Sequence, residues 1–211
     1  MRGLLVTIQL TFFSLAFGLI IALPLSYGQV YGSKFVKFLI FVYEKILRSI
    51  PEIVILFLIF YGFPRIGIRF SPFVSCILGL GLRTSAYQSQ IFRGAILSVK
   101  PNQMHAARSL GMTRIKAFIN VIFPQAFRIA LPAWTNEFTI VLKDSSLAYA
   151  LGVTELLREG SYVIATSYEP LLIYLFVTLV YFVITITINK SLGKIEKKLI
   201  NKGFKMEENI I

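Results

Sequence analysis

The chain has 211 residues, 56% of them hydrophobic and 15% charged, with a formal net charge of +12. Soluble domains are about 45–50% apolar, and here the mean hydropathy of +0.73 comes from long apolar runs, which excludes an ordinary water-soluble core. The basic charge does not point to nucleic acid, because it sits in loops between those runs and forms no stripe interleaved with aromatics.

A membrane-spanning helix needs about 20 mostly apolar residues. Residues 4–23 supply twenty without a charge, and residues 171–188 supply eighteen without a charge, Pro or Gly. The first run lacks a basic region before it and a small-residue cleavage site after it, so it reads as a span and not as a leader. The composition predicts a single all-α polytopic domain over 1–211, with five spans at about 4–25, 38–63, 72–92, 129–150 and 171–188. In the second span, Pro51 should kink or end a helix, leaving 35–48 partly interfacial and 50–63 deeper. Glu44, Arg48 and Glu52 follow at i, i+4 and i+8, a spacing that lets them pair along one helix face. In the third, Gly79 and Gly81 permit close packing, and the lone Cys76 reads as a small buried hydrophobe. The fifth opens at Pro170, a residue suited to a helix start.

Basic residues then orient the spans. Segments 29–37, 93–128 and 189–211 hold fourteen Lys and Arg, whereas the alternate side holds four: Arg2, Arg65, Arg69 and Arg158. Cytoplasmic loops carry the excess, so the N-terminus is expected outside, with loop 93–128 and tail 189–211 in the cytoplasm. The tail mixes Lys with Glu196, Glu207 and Glu208, as a solvated helix would, with contact to anionic headgroups as a lesser role.

Loop 93–128 has its own design. Asn102 is a good N-cap, and a helix over 103–110 should stop at Gly111, suited to the left-handed position after a helix. Thr113 can cap a second helix, 114–123, that stops at Pro124. Ala106 and Ala107 leave one patch of the first helix nearly bare, so another protein can approach closely. The alternative is a surface hairpin that only links two spans.

Charges inside spans cost about 2.5–3.5 kcal/mol on insertion scales and default to functional hypotheses. Arg83 lies mid-way along the third span. On the fourth, Asn136 and Lys143 are seven apart, as are Glu137 and Asp144, and at about 100° per residue these four make one polar stripe.

The segment Ala106-Ala107-x-x-x-Gly111, followed by Ile122-Phe123-Pro124 and Leu131-Pro132, resembles the EAA loop of ABC-transporter permease subunits. Ala86-Tyr87…Ile91-Phe92-Arg93-Gly94, Pro124-Gln125-Ala126 and Lys143-Asp144-Ser145-Ser146-Leu147 resemble the polar amino-acid branch of that family, of the histidine, glutamine and arginine type. Arg48-x-x-Pro51 and Tyr61-Gly62-Phe63-Pro64 match its second span, and the resemblance covers about 4–188. His105 stands where the family usually has Glu, Asn102 where it has Gly, and Gln90 where Glu is frequent. His105 therefore supplies no acid for a salt bridge to the ATPase, while the helix, small-residue patch and Gly elbow are kept.

The resemblance implies a prokaryotic plasma-membrane (inner-membrane) importer subunit. Its partners would be two ABC ATPase subunits, a second permease chain (identical or related), an extracytoplasmic amino-acid-binding protein and membrane lipid. Gln103, Met104, His105, Ala106, Ala107, Arg108, Leu110 and Gly111 would form the coupling helix, seated in a groove of the ATPase. The chain has no G-x-x-x-x-G-K-[ST] phosphate loop, so it is expected to be no enzyme and to hold no cofactor; ATP and Mg would sit in the ATPase partners. Asn136 and Glu137 are candidates for the substrate's polar or cationic end and Arg83 for its carboxylate, with Glu137 favouring a basic amino acid. Lys143 and Asp144 are candidates on the same stripe, or pins for the outer end of the fourth helix. A buried structural ion pair of Arg83 with Glu137 or Glu52 is the competing reading. A secondary transporter, a channel and a recruiting scaffold also fit spans with buried charge; the docking segment and the lack of a repeat pair weigh against the first two, and buried Arg83 and Glu137 against the scaffold.

Overall fold

The computed structural model describes the backbone of residues 2–208 and the side chains of residues 2–198. Nine α-helices follow in order among the described residues, with no strand: α1 Arg2–Tyr31, α2 Lys34–Ser49, α3 Glu52–Phe57, α4 Pro72–Ser98, α5 Pro101–Ser109, α6 Arg114–Ala117, α7 Phe123–Asp144, α8 Leu156–Ser167 and α9 Pro170–Glu208. Two of them, α1 and α9, are long and apolar enough to cross a membrane by themselves. The helix α4 is long enough but carries a buried polar run, Thr84, Ser85, Gln88 and Ser89.

The bundle is built on the α1–α4 pair, its most extensive contact. The buried face of α1 is small: Gly3, Thr7, Thr11, Ser14, Gly18, Ala22 and Ser26 recur every three or four residues. A methyl group on Gly18 would meet Gln88 Nε2 at 2.8 Å and the Gly81 carbonyl at 3.0 Å. Backbones can cross this closely only where side chains are small. Thr7 and Thr11 spend their hydroxyls on carbonyls four residues back, at 3.0 and 2.8 Å.

Two apolar cores lie at opposite ends of α4. One joins Leu10, Leu56, Cys76, Leu80 and Leu151, which places Cys76 as the small buried hydrophobe its run suggested. The other joins Phe92, Ile96, Ile122, Ala126 and Ala130. The polar run of α4 falls between them.

The second apolar run is not one helix. The pair α2 and α3, with the π-turn Leu58–Gly62 and 3₁₀ turn Phe63–Ile66 that continue α3, bends by 103°. Ile50 is extended (φ −92°, ψ 133°) because the following Pro51 disfavours a helical predecessor. This corner corrects the expected Glu44–Arg48–Glu52 row: α2 ends before the third member, and the three side chains find separate partners.

Near α5 the boundaries also differ from expectation. Lys100, not Asn102, occupies the cap position, since Pro101 takes the first helical position and pushes Lys100 to ψ 126°. Gly111 is left-handed at φ +84°, as anticipated. Met112 N–H donates to Ala107 O at 3.2 Å and Gly111 N–H to Arg108 O at 3.0 Å, the paired bonds of a glycine-terminated helix. Thr113 caps α6, accepting from Lys116 N–H at 3.3 Å. Pro124 does not stop the next helix. The chain stays helical from Arg114 to Asp144 through a π-turn, Phe118–Ile122, in which Phe123 N–H reaches back five residues to Phe118 O. That widened turn sits where the proline ring would otherwise strike the carbonyl four residues earlier.

Helix α8 has no counterpart in the span pattern. Its N-cap is Glu155, whose carboxylate accepts from Leu157 and Arg158 N–H, both at 2.8 Å, and from Tyr181 OH at 3.1 Å. Burial pushes this carboxyl up from its ordinary value, while the two amide donors pull it back down. Helix α9 starts at Pro170 and runs well past residue 188 into the tail; side chains from 199 on, and residues 209–211, lie outside the described residues.

Candidate functional site

Three elements bring one guanidinium and three carboxylates together. Arg83 on α4 lies 3.3 Å from Asp144 and 3.8 Å from Glu137, both on α7, and 3.8 Å from Glu52 at the start of α3. The side chains are largely withdrawn: Glu137 is 4% exposed, Glu52 10%, Arg83 18% and Asp144 28%. Only the Asp144 contact is short and aligned enough to be a hydrogen bond.

Helical geometry explains the convergence. Glu137 and Asp144 are seven apart, so both face α4 at Arg83. Asn136 and Lys143, one residue back in each case, are exposed. The predicted stripe thus exists but splits along its length: its Glu137–Asp144 edge meets Arg83, and its Asn136–Lys143 edge does not. Lys143 instead lines a cavity of about 300 Å³ with Ser146, Leu157, Tyr174 and Tyr181.

The cluster rests on a chain of hydrogen bonds that the sequence did not single out. Thr84 Oγ1 donates to Glu137 Oε1 at 2.7 Å. Gln88 donates to Thr84 Oγ1 at 3.3 Å and to the Leu15 carbonyl at 3.2 Å, and accepts from Trp134 Nε1 at 2.8 Å. Three helices thereby fix one carboxylate. The available signal was a cluster of five polar residues, Thr84, Ser85, Gln88, Ser89 and Gln90, directly after Arg83 in a largely apolar span.

One turn further along α4, Tyr87 is flanked by two guanidiniums. Arg83 lies 4.4 Å from its ring centre and Arg48 lies 4.9 Å from it. Beyond it is a further buried carboxylate, Glu44, with no cation in salt-bridge range among the described residues. It accepts from Ser89 Oγ at 2.5 Å and from Gln29 and Gln90 side-chain amides. Gln90, which departs from the family's frequent Glu, is what allows this: an amide donates to Glu44 where a second carboxylate would repel it.

In α5 and the turn that ends it, Gln103, His105, Ala106, Arg108, Leu110 and Gly111 are exposed, whereas Ala107 is buried and Met104 packs on the second core. The bare patch expected of Ala106 and Ala107 is therefore Ala106 alone, because Ala107 faces the bundle. Among the described residues no set of three His, Cys, Asp or Glu side chains could hold a metal ion.

This bent, small-residue bundle with charge sealed inside matches known proteins over nearly its whole length. Residues 14–201 fit the model of the binding-protein-dependent transport system inner membrane component. The chain belongs to that family. It is 35% identical over 198 residues to the L-cystine transport system permease protein TcyB of Bacillus subtilis, covering 93% of this chain and 85% of the relative. It is 30% identical over 200 residues to the glutamine transport system permease protein GlnP of Escherichia coli, covering 94% and 91%. The nopaline transport system permease protein NocM of Agrobacterium fabrum is 34% identical, covering 87% and 80%. A crystal structure of an amino acid ABC transporter with histidines superposes with a TM-score of 0.83 at 34% identity, over 93% of this chain and 92% of that one. The methionine ABC transporter MetNI shares the fold, with a TM-score of 0.80. The chain is thus a membrane permease subunit of an amino-acid ABC importer, a family whose ATPase activity belongs to partner subunits.

Proposed function

We propose that this permease imports a basic amino acid into a prokaryotic cytoplasm. The observation that carries the reading is the ratio at the cluster, where three carboxylates face one guanidinium. Three acidic groups gathered around one guanidinium in an interior site favour a cationic ligand over a neutral or acidic one. Relatives named for cystine, glutamine and nopaline show that family membership leaves this choice open. Glu137 and Asp144 receive the cationic end, Arg83 holds the two acids in place, and Asn136 and Lys143 sit at the exposed edge where the substrate's polar atoms pass.

In this reading α1, the bent α2–α3 pair, α4, α7 and α9 make five spans, with the N-terminus outside and α5, α6 and the C-terminal tail in the cytoplasm. Residues 103–111 dock on an ABC ATPase. The exposed residues of α5 supply the contact, and His105 supplies a hydrogen-bonding ring in place of an acid. Two ATPase subunits hold ATP and Mg, a second permease chain completes the pathway, and an extracytoplasmic binding protein delivers the amino acid. ATPase closure pulls the coupling helices together and biases a two-state equilibrium between inward-open and outward-open forms.

The test is ATP-dependent uptake by the reconstituted transporter, comparing labelled Lys, Arg, His and Gln in the parent and in Glu137→Gln with assembly verified. Preferred uptake of the basic substrates, reduced in the variant, is expected. Import of Gln with none of the basic three, or unchanged rates and selectivity in Glu137→Gln, would sink the assignment.

A further inference from the structure

Glu52 stands immediately after the Pro51 corner, at the first position of α3. Its Oε2 is 3.8 Å from Arg83 Nε, beyond hydrogen-bond range. Its Oε1 is buried and has no hydrogen-bond partner. Among the described residues this is the one buried carboxylate oxygen so left. The other sequestered acids are served: Glu44 by Ser89 and two amides, Glu137 by Thr84, and Glu155 by two backbone N–H groups and Tyr181. A buried acceptor without a donor is costly, and a charged one more so.

Arg83 cannot make good the deficit. Its guanidinium bonds Asp144 and lies over the Tyr87 ring, which holds its plane from one side. Turning it to Glu52 would strip Asp144. The cluster therefore offers an unbonded acceptor to a second cation beside Arg83, on the side of the α3 corner.

We infer that Glu52 is a substrate-binding residue whose free carboxylate oxygen receives the ammonium or guanidinium of the transported amino acid. The inference rests on the basic-amino-acid reading above and adds to it a residue and an orientation: the cationic group enters at the α2–α3 corner, between α3 and α7. Arg83 is then the resident counter-ion that keeps three acids together when the site is empty. It is not the group that greets the substrate's carboxylate.

The experiment uses the complete transporter in liposomes, with labelled arginine and lysine over a concentration series. Glu52→Gln keeps the shape and removes the charge; Glu52→Asp keeps the charge and withdraws it by one methylene. The expected result is a KM for both substrates raised about tenfold or more in Glu52→Gln, the scale of one lost charge-assisted contact, with kcat little changed. Glu52→Asp should fall between Glu52→Gln and the parent. An unchanged KM in Glu52→Gln overturns the inference, since a proton on Glu52 would then satisfy the oxygen and a neutral amide would replace it without loss. Should Glu52→Gln fail to assemble, an unchanged KM in Glu52→Asp overturns it equally. A parent transporter that imports neither arginine nor lysine would instead overturn the basic-amino-acid reading, which separates the two failures.

Discussion

Thr84 donates a 2.7 Å hydrogen bond to Glu137 across the α4–α7 contact, and both residues are almost fully buried. Thr84 Oγ1 also accepts from Gln88. One hydroxyl thus links the charged cluster to the amide that ties α4 to α1. Thr84→Val keeps the shape and removes both roles. It should destabilise the purified complex by about 1–3 kcal/mol, the usual cost of orphaned buried polar groups. Thermal unfolding in detergent checks this, and Thr84→Ser should restore most of the loss.

Arg83 is the sole cation within salt-bridge distance of Glu52, Glu137 and Asp144 among the described residues. Breaking a buried pair from one side leaves uncompensated charge and costs about 3–5 kcal/mol. Arg83→Met should therefore yield little assembled complex. Adding Glu137→Gln should recover part of the yield, because the two changes share one electrostatic fault. The ratio of folded complex to total membrane-inserted chain, in single and double variants, is the readout. Equal losses in both would place the fault in packing against Tyr87, not in charge.

The sequence carried the helix class, the Pro51 break, the Gly111 elbow and the charged residues of α4 and α7. Those features are local: a proline restricts its neighbour, a glycine admits positive φ, and a seven-residue spacing returns to one helix face. What it could not carry was pairing between elements. Glu44 and Arg48 look like partners on one helix, yet Glu44 reaches Gln29 and Gln90, and Arg48 reaches the Tyr87 ring. Pro124 looks like a stop, but the π-turn before it removes the clash. Helix α8 stayed hidden because its cap is a glutamate satisfied from α9 through Tyr181, a contact 26 residues away.

The α1–α4 crossing makes a steric prediction. A Cβ on Gly18 would lie 2.8 Å from Gln88 Nε2 and 3.0 Å from the Gly81 carbonyl. The carbonyl cannot swing aside as a side-chain tip can. Gly18→Val should cost about 1–3 kcal/mol by overpacking and should also disturb Gln88, and with it Glu137. A lower unfolding temperature together with weaker uptake is expected. A variant as stable as the parent would mean that the two helices can separate without consequence.

Gly111 offers the opposite case, in which space is free and backbone conformation is the whole constraint. A Cβ there would meet nothing within 4 Å, but φ is +84°. Gly111→Val should therefore strain only the turn that ends α5, by about 1–2 kcal/mol for forcing a left-handed residue, and loosen the Met112-to-Ala107 and Gly111-to-Arg108 bonds. Membrane insertion and the α1–α4 bundle should be spared. Co-purification with the ATPase and uptake should both fall, because the exposed side chains of α5 lose their fixed direction. Gly111→Asn, which tolerates positive φ, should lose much less. This ordering separates a conformational role from a steric one, since Val and Asn both fit the open space. Equal activity in Gly111→Val and the parent would mean that the elbow plays no part in docking.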